Sequence, residues 1–217
     1  TLVEARRLTA ADVWQEMRLS VEFNRPRAAK AAAALISPPV DQAVATLYDN
    51  PARYLARRPS GVTSASRELA VLAVMRLAAS DPEAAARELE QPWARELPPE
   101  LASAAWSSIG KQSALKLQAE APGHFERAFA AQRKSGRAAH WTDDTLAWAV
   151  RAALRSARTP QERWALVDAA IDAMSPAEQK AMEMQKKVLP FQTLLGAVAI
   201  VAAILLAYTT NKYHLSW

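Results

Sequence analysis

Residues 64–90 read SASRELAVLAVMRLAASDPEAAARELE, and the punctuation inside this stretch decides the fold. Ser64 to Ser80 is one helical run. Asp81-Pro82 stops it and opens the next helix, with proline in the first turn, where its missing N–H costs nothing. That second helix ends near Gln91-Pro92. The result is a helix hairpin of residues 64–91, and two more pairs follow it. A long helix is expected from Pro98 to Glu120. Pro122-Gly123 then turns into a helix from Phe125 to Ser135, with Gly136 as its stop. Thr142 caps a helix from Asp143 to Ser156, and Thr159-Pro160 starts another that runs to Met174. The pairs 64–91, 98–135 and 142–174 recur at about 35 to 42 residues, the spacing of α-solenoid repeats, in which one hairpin stacks on the next. No position is invariant across the three pairs, so the repeat is one of architecture. Alanine on facing positions lets the helices approach closely.

The chain before residue 64 is helical too. Thr9 and Asp12 form a T-x-x-D capping box, and Val13, Trp14, Met17 and Val21 give one apolar stripe. Asn24 and Pro26 break that helix. A second is expected from Arg25 to Leu35, ended by Ser37-Pro38-Pro39, and a third from Asp41 to Tyr48, closed by Asp49-Asn50-Pro51. Composition agrees. The apolar share of 51% is carried largely by alanine, glycine is scarce at 5 of 217 residues, and runs with period two are missing. Ala, Leu, Arg and Glu are strong helix formers. The fold class is all-α.

Beyond the third pair, Ser175-Pro176 with Glu178 opens a last helix, whose polar part runs to Lys187. Residues 188–208 then read VLPFQTLLGAVAIVAAILLAY, with no charge. At 1.5 Å per residue, about 21 residues match the roughly 30 Å hydrocarbon core of a bilayer. A buried core helix is the alternative, but such helices rarely run this long without charge. A transmembrane helix is expected here, with a kink at Pro190. Lys186 and Lys187 stop the run on one side, and Asn211, Lys212 and His214 on the other. The interfacial anchors are Lys186, Lys187, Tyr208, Lys212, Tyr213 and Trp217. Gly196, Ala199, Ala203 and Ala207 form a small-residue stripe suited to helix packing in lipid. The expected organisation is an α-solenoid over 1–179, a polar helical stalk over 180–187, a membrane span over 188–208 and a short tail over 209–217. Lysines before the span outnumber those after it, which by the positive-inside rule favours the cytoplasmic side for the solenoid.

Charge and chemistry narrow the function. The net charge is +5 with both signs interleaved and no block of one sign, the pattern of solvated helix faces rather than of a nucleic-acid partner. Zero cysteine excludes disulfides, thiolate metal sites and a cysteine nucleophile. The chain opens Thr1-Leu2-Val3 without a signal peptide, as a processed terminus or a fragment would. His124, His140 and His214 have no second ligand at helical spacing, and His124 and His140 read as surface residues. Asp143 and Asp144 point about 100° apart on a helix, so they read as caps and not as an acid–base pair. Trp106, Trp141, Trp148 and Trp164 suit a sugar-stacking platform, or more simply inter-helix packing. No cofactor, metal or catalytic residue is expected.

Several segments in order carry a family resemblance. They are LTAADVWQEMRLSVEFN from Leu8, DNPARYLARRP from Asp49, RELAVLAVMRLAASDPEAAARELE from Arg67, DDTLAWAVRAALR from Asp143 and WALVDAAIDAMSPAEQ from Trp164. Together, over roughly residues 5 to 179, the chain resembles the helical N-terminal region of soluble lytic murein transglycosylases of the Slt type. The resemblance implies a curved periplasmic α-solenoid that contributes to binding peptidoglycan. The family's catalytic domain, with its Glu-Ser pair and its single acid/base glutamate, has no counterpart here, and the dipeptide Glu-Ser is absent from the whole chain. Where the family continues with more solenoid, this chain continues KAMEMQKKVLPFQ from Lys180. The expected function is a non-catalytic scaffold or binding module anchored in a membrane, with the solenoid in the periplasm. Its expected partners are the lipid bilayer, proteins that bind the solenoid surface or the membrane helix, and peptidoglycan. Two alternatives stand beside it: an accessory single-span subunit of a respiratory or photosynthetic complex, and a transglycosylase fragment without its catalytic domain.

Overall fold

The segment Leu69-Ala-Val-Leu-Ala-Val-Met75 is apolar on every side, so no single face of its helix can be left to water. The computed structural model places that helix at the centre. It describes residues 9–57, 62–90, 93, 95–136, 141–156, 159–174, 176 and 179. These form ten helices and no strand among the described residues, so the chain is all-α. They are α1 (Ala10–Glu22), α2 (Pro26–Ile36), α3 (Pro38–Asp49), α4 (Pro51–Ala56), α5 (Ser64–Ser80), α6 (Pro82–Glu90), α7 (Pro99–Leu115), α8 (Ala121–Ser135), α9 (Asp143–Arg155) and α10 (Pro160–Ala173). The chain divides into two compact units, 1–140 and 141–217.

In the first unit, α5 packs against α1, α3, α4, α6 and α7. Leu69 through Met75 are all buried, as are Leu77 and Ala78. Each fully buried Val, Leu or Met contributes about 1.5–3 kcal/mol of transfer free energy, so α5 contributes substantially to the unit's stability. The α1 stripe Val13, Trp14, Met17 and Val21 is buried as its spacing requires. Two ion pairs tie α1 into place. Arg18 meets Glu68 on α5, and Lys111 Nζ on α7 lies 2.7 Å from Glu22 Oε1. Burial holds the Glu68 carboxyl above its ordinary range although Arg18 sits beside it. Desolvation thus outweighs the pair's attraction, and the pair orients α1 more than it stabilises the fold.

The α7–α8 hairpin is the most extensively packed helix pair of the unit. A Cβ placed on Gly110 would stand 3.0–3.1 Å from the Phe125 ring, and Phe125 is fully buried. Only a residue without a side chain lets that ring lie against the α7 backbone.

The second unit is simpler. Leu146, Ala149, Val150 and Ala153 on α9 follow an i, i+3, i+4, i+7 pattern and are buried, as are Leu166, Val167, Ala170 and Ile171 on α10. The two helices pack as a hairpin.

Most helix ends lie where the sequence puts them. Thr9 makes its capping box with Asp12, Thr142 accepts from the Thr145 N–H, and Gly136 takes the left-handed conformation at φ 64°. Three boundaries differ. The Pro38-Pro39 pair begins α3 instead of standing outside it, because proline suits the first turn. Pro51 likewise opens α4, a short helix not expected from the sequence, with Asn50 Oδ1 accepting from the Arg53 N–H. The helix expected over 98–120 stops at Leu115. There Leu117 turns left-handed at φ 58°, the Gln118 N–H bonds the Ser113 carbonyl and the Leu117 N–H bonds that of Ala114. This is a Schellman stop with leucine in the position glycine usually takes. It lets α8 begin at Ala121, four residues before the expected start.

Among the described residues no helix is long and apolar enough to cross a membrane. The stalk 180–187, the span 188–208 and the tail 209–217 lie outside the described residues.

Candidate functional site

Four elements of the first unit converge around a cavity of about 230 Å³ lined by Thr46, Tyr54, Arg57, Ser66 and Trp93. Thr46 stands on α3, Tyr54 on α4 and Arg57 just after α4. Ser66 comes from the first turn of α5. Trp93 lies between α6 and α7, where its carbonyl accepts from the Glu96 and Leu97 N–H groups at 3.1 and 3.2 Å and folds the segment back.

The lining is mostly carbon, and its polar groups are few and differ in availability. Both hydroxyls are already committed as donors, Thr46 Oγ1 to the Gln42 carbonyl at 3.0 Å and Ser66 Oγ to the Thr63 carbonyl at 2.9 Å. Trp93 is only 4% exposed, and among the described residues its Nε1 has no hydrogen-bond partner. A buried N–H left unmade costs about 1–3 kcal/mol; this one is closed to water, so it faces the packed wall and not the open part of the cavity. Burial holds the Tyr54 phenol above its ordinary pKa, so it is a neutral donor. Arg57 is exposed at the rim. The five lining residues include no imidazole and no carboxylate. The cavity therefore offers donors, one cation and two aromatic faces, but no general base and no hard metal ligand.

A second cluster lies on the α7–α8 hairpin. His124, in the first turn of α8, stacks on Trp106 of α7 with ring centroids 5.5 Å apart and planes 18° from parallel. The Arg127 guanidinium sits 4.7 Å from the centre of the Trp106 ring and pairs with Glu90 of α6. The expectation of a surface His124 is corrected here: it is only 8% exposed, because the early start of α8 packs its first turn onto α7. Burial, reinforced by Arg127, holds its imidazole below the ordinary pKa.

Of the four tryptophans read as a platform or as packing, Trp106 belongs to the first unit and Trp141, Trp148 and Trp164 to the second. Trp106 and Trp148 each pack against an arginine, Trp148 with Arg151 at 4.5 Å. Asp143 and Asp144 occupy the first turn of α9. His140, His214 and the membrane set Gly196, Ala199, Ala203, Ala207, Lys186, Lys187, Tyr208, Lys212, Tyr213 and Trp217 lie outside the described residues. Among the described residues no cluster of three or more His, Cys, Asp or Glu has the arrangement of a metal site. Sequence reasoning missed Trp93. Its one signal is an aromatic between Pro92 and Pro98, in a segment with no helical period. The chain matches no protein-family model, no curated protein and no solved structure.

Proposed function

We propose that this protein is a non-catalytic, membrane-anchored helical scaffold or binding module of the bacterial envelope. Its helix hairpins form an α-solenoid on the periplasmic side, with peptidoglycan as its partner. One observation carries the reading: the successive hairpins α5–α6, α7–α8 and α9–α10 precede an uncharged stretch of apolar length, 188–208. Single hairpins bury too little apolar surface to stand alone, whereas stacked ones present extended binding surfaces. A hydrophobic run of that length is the sequence signature of a bilayer span. The segments quoted above supply the link to the envelope, since they resemble the murein-binding helical region of Slt-type transglycosylases.

The test is co-sedimentation of the detergent-solubilised chain with purified murein sacculi. Saturable pelleting is expected. Failure to pellet at any protein concentration would remove peptidoglycan as the partner. Recovery in a large assembly after mild detergent extraction would point to an accessory subunit instead.

A further inference from the structure

From Phe23 to Val40 the chain reads FNRPRAAKAAAALISPPV, with three cations, Arg25, Arg27 and Lys30, and no acid. Helix α2 carries most of this stretch, and its alanines decide which side faces out. Ala29, Ala32 and Ala33 are buried, and α2 packs against α1 and α3. Arg27, Lys30, Ala31, Ala34 and Leu35 follow the i, i+3, i+4, i+7, i+8 spacing of one helix face, and every one of them is exposed. Alanine keeps the middle of this face low, so the charged side chains and Leu35 stand above it. Phe23, 48% exposed, and Arg25 flank the start of the helix, and Leu35, 45% exposed, stands near its end.

The charges of this face are unbalanced. Arg18, Lys111 and Arg127 each meet a carboxylate, on Glu68, Glu22 and Glu90. Among the described residues Arg25, Arg27 and Lys30 meet none. Arg25 lies over the Phe23 ring, at 5.4 Å. Glu22, the acid just before the stretch, is taken by Lys111. Arg25 and Arg27 stand at the beginning of a helix whose first turn holds no acid, where the dipole favours the opposite sign. The stability of α2 does not account for that placement; a negatively charged partner would.

We propose that this face of α2 rests on an anionic bilayer surface, with Arg25, Arg27 and Lys30 against lipid phosphates and with Phe23 and Leu35 entering the headgroup region. Opposite charge draws the face to acidic lipid, and the apolar side chains at its two ends have a place in the interface. A nucleic acid would answer the cations but not Phe23 and Leu35. A second copy would set like charges against each other. Each cation near an anionic surface strengthens partition about fivefold, so three hold a free protein there weakly. Here the inference rests on the span proposed for 188–208. A tethered domain meets the surface at an effective concentration on the order of mM, and a weak face then suffices to orient it.

The chain has no cysteine, so Ala31→Cys gives a single labelling position at the centre of the face. Arg87→Cys, exposed on α6, gives one on a helix that packs against α5 and α7 instead. The full chain, carrying a bimane at either position, is reconstituted in vesicles of phosphatidylcholine alone or in equal parts with phosphatidylglycerol, each with a nitroxide lipid as quencher. Quenching at position 31 is expected to be at least twofold stronger with phosphatidylglycerol. That excess should vanish at about 1 M salt, where the Debye length is about 3 Å, and in the triple variant Arg25→Gln, Arg27→Gln, Lys30→Gln. These positions are exposed, so helix content by circular dichroism should be unchanged. Phe23→Ser with Leu35→Ser should lower quenching about twofold and leave its salt dependence in place. Equal quenching in the two lipids, equal quenching at positions 31 and 87, or an unchanged excess in the triple variant would each overturn the proposal. Excimer emission from pyrene at position 31 would put a second copy on the face and overturn it too. So would a triple variant that loses murein pelleting and keeps its quenching. Flotation with phosphatidylcholine alone reports the span separately. If the chain does not float, the span reading fails, and quenching of the chain added to phosphatidylglycerol vesicles still decides the face.

Discussion

Gly110→Ala sets two well-measured effects against each other. In the interior of a helix, alanine is worth about 1 kcal/mol more than glycine, because it restricts the unfolded chain and shields the backbone. On α7 the new methyl carbon would stand 3.0 Å from Phe125 Cγ and 3.1 Å from Cδ1 and Cδ2. Carbon pairs rest near 3.5–4.0 Å, so the ring must retreat by about 0.5 Å. Phe125 is fully buried and is not the free end of a flexible side chain. Forcing extra volume into such a place costs about 1–3 kcal/mol. The balance is a net loss of about 1 kcal/mol. For a chain of this size, that lowers Tm by about 2–4 °C. Urea unfolding of the full chain in detergent, followed by circular dichroism at 222 nm, reads the difference directly. Adding Phe125→Leu should relieve the clash, so the double variant should be more stable than the sum of the two single changes by at least about 0.5 kcal/mol. A Gly110→Ala protein that gains about 1 kcal/mol would refute the reasoning, since helix propensity alone would then decide the site.

Three other outcomes follow from the same packing. Lys111→Met should cost about 3 kcal/mol, because it removes a cation from a pair with Glu22 in which both side chains are under 15% exposed; adding Glu22→Leu should recover much of the loss in the same urea assay. The His124 imidazole is held below its ordinary value, so the unfolded chain takes up its proton first. Stability should therefore fall as pH drops below about 6.5 and level off beneath the lowered folded value, and His124→Gln should flatten that slope in thermal melts across pH 4–8. Leu117, left-handed at φ 58° and 69% exposed, pays a conformational cost of about 1 kcal/mol. Leu117→Asn should raise the urea midpoint, and a lowered midpoint would mean that the leucine packs.

Helix punctuation was legible because it is local. Asp81-Pro82, Thr9 with Asp12, Thr142 and Gly136 act on their own neighbours, and each stands at a helix end. The missed boundaries share a cause. Proline can end one helix or open the next, and at Pro38 and Pro51 the choice rests on how the following turn packs. The Leu117 stop is a backbone conformation that leucine does not advertise.

The candidate site was hardly legible. Thr46, Tyr54, Arg57, Ser66 and Trp93 span 48 positions, from 46 to 93, with no motif among them. His124 read as a surface residue because a histidine after Pro-Gly resembles a turn; burial came from Trp106, eighteen positions earlier on a different helix.

By itself, then, the sequence determined that the chain is helical, where most helices begin and end, and that 188–208 is long, apolar and uncharged. These follow from propensity, capping and composition, which act within a few residues. Tertiary structure alone decided that α5 is the hub, that Gly110 is a contact surface for Phe125, and that the Trp93 ring is buried beside a cavity. Each depends on which distant side chains come together, and burial, the strongest energy in the fold, carries no record of its partners in the local sequence.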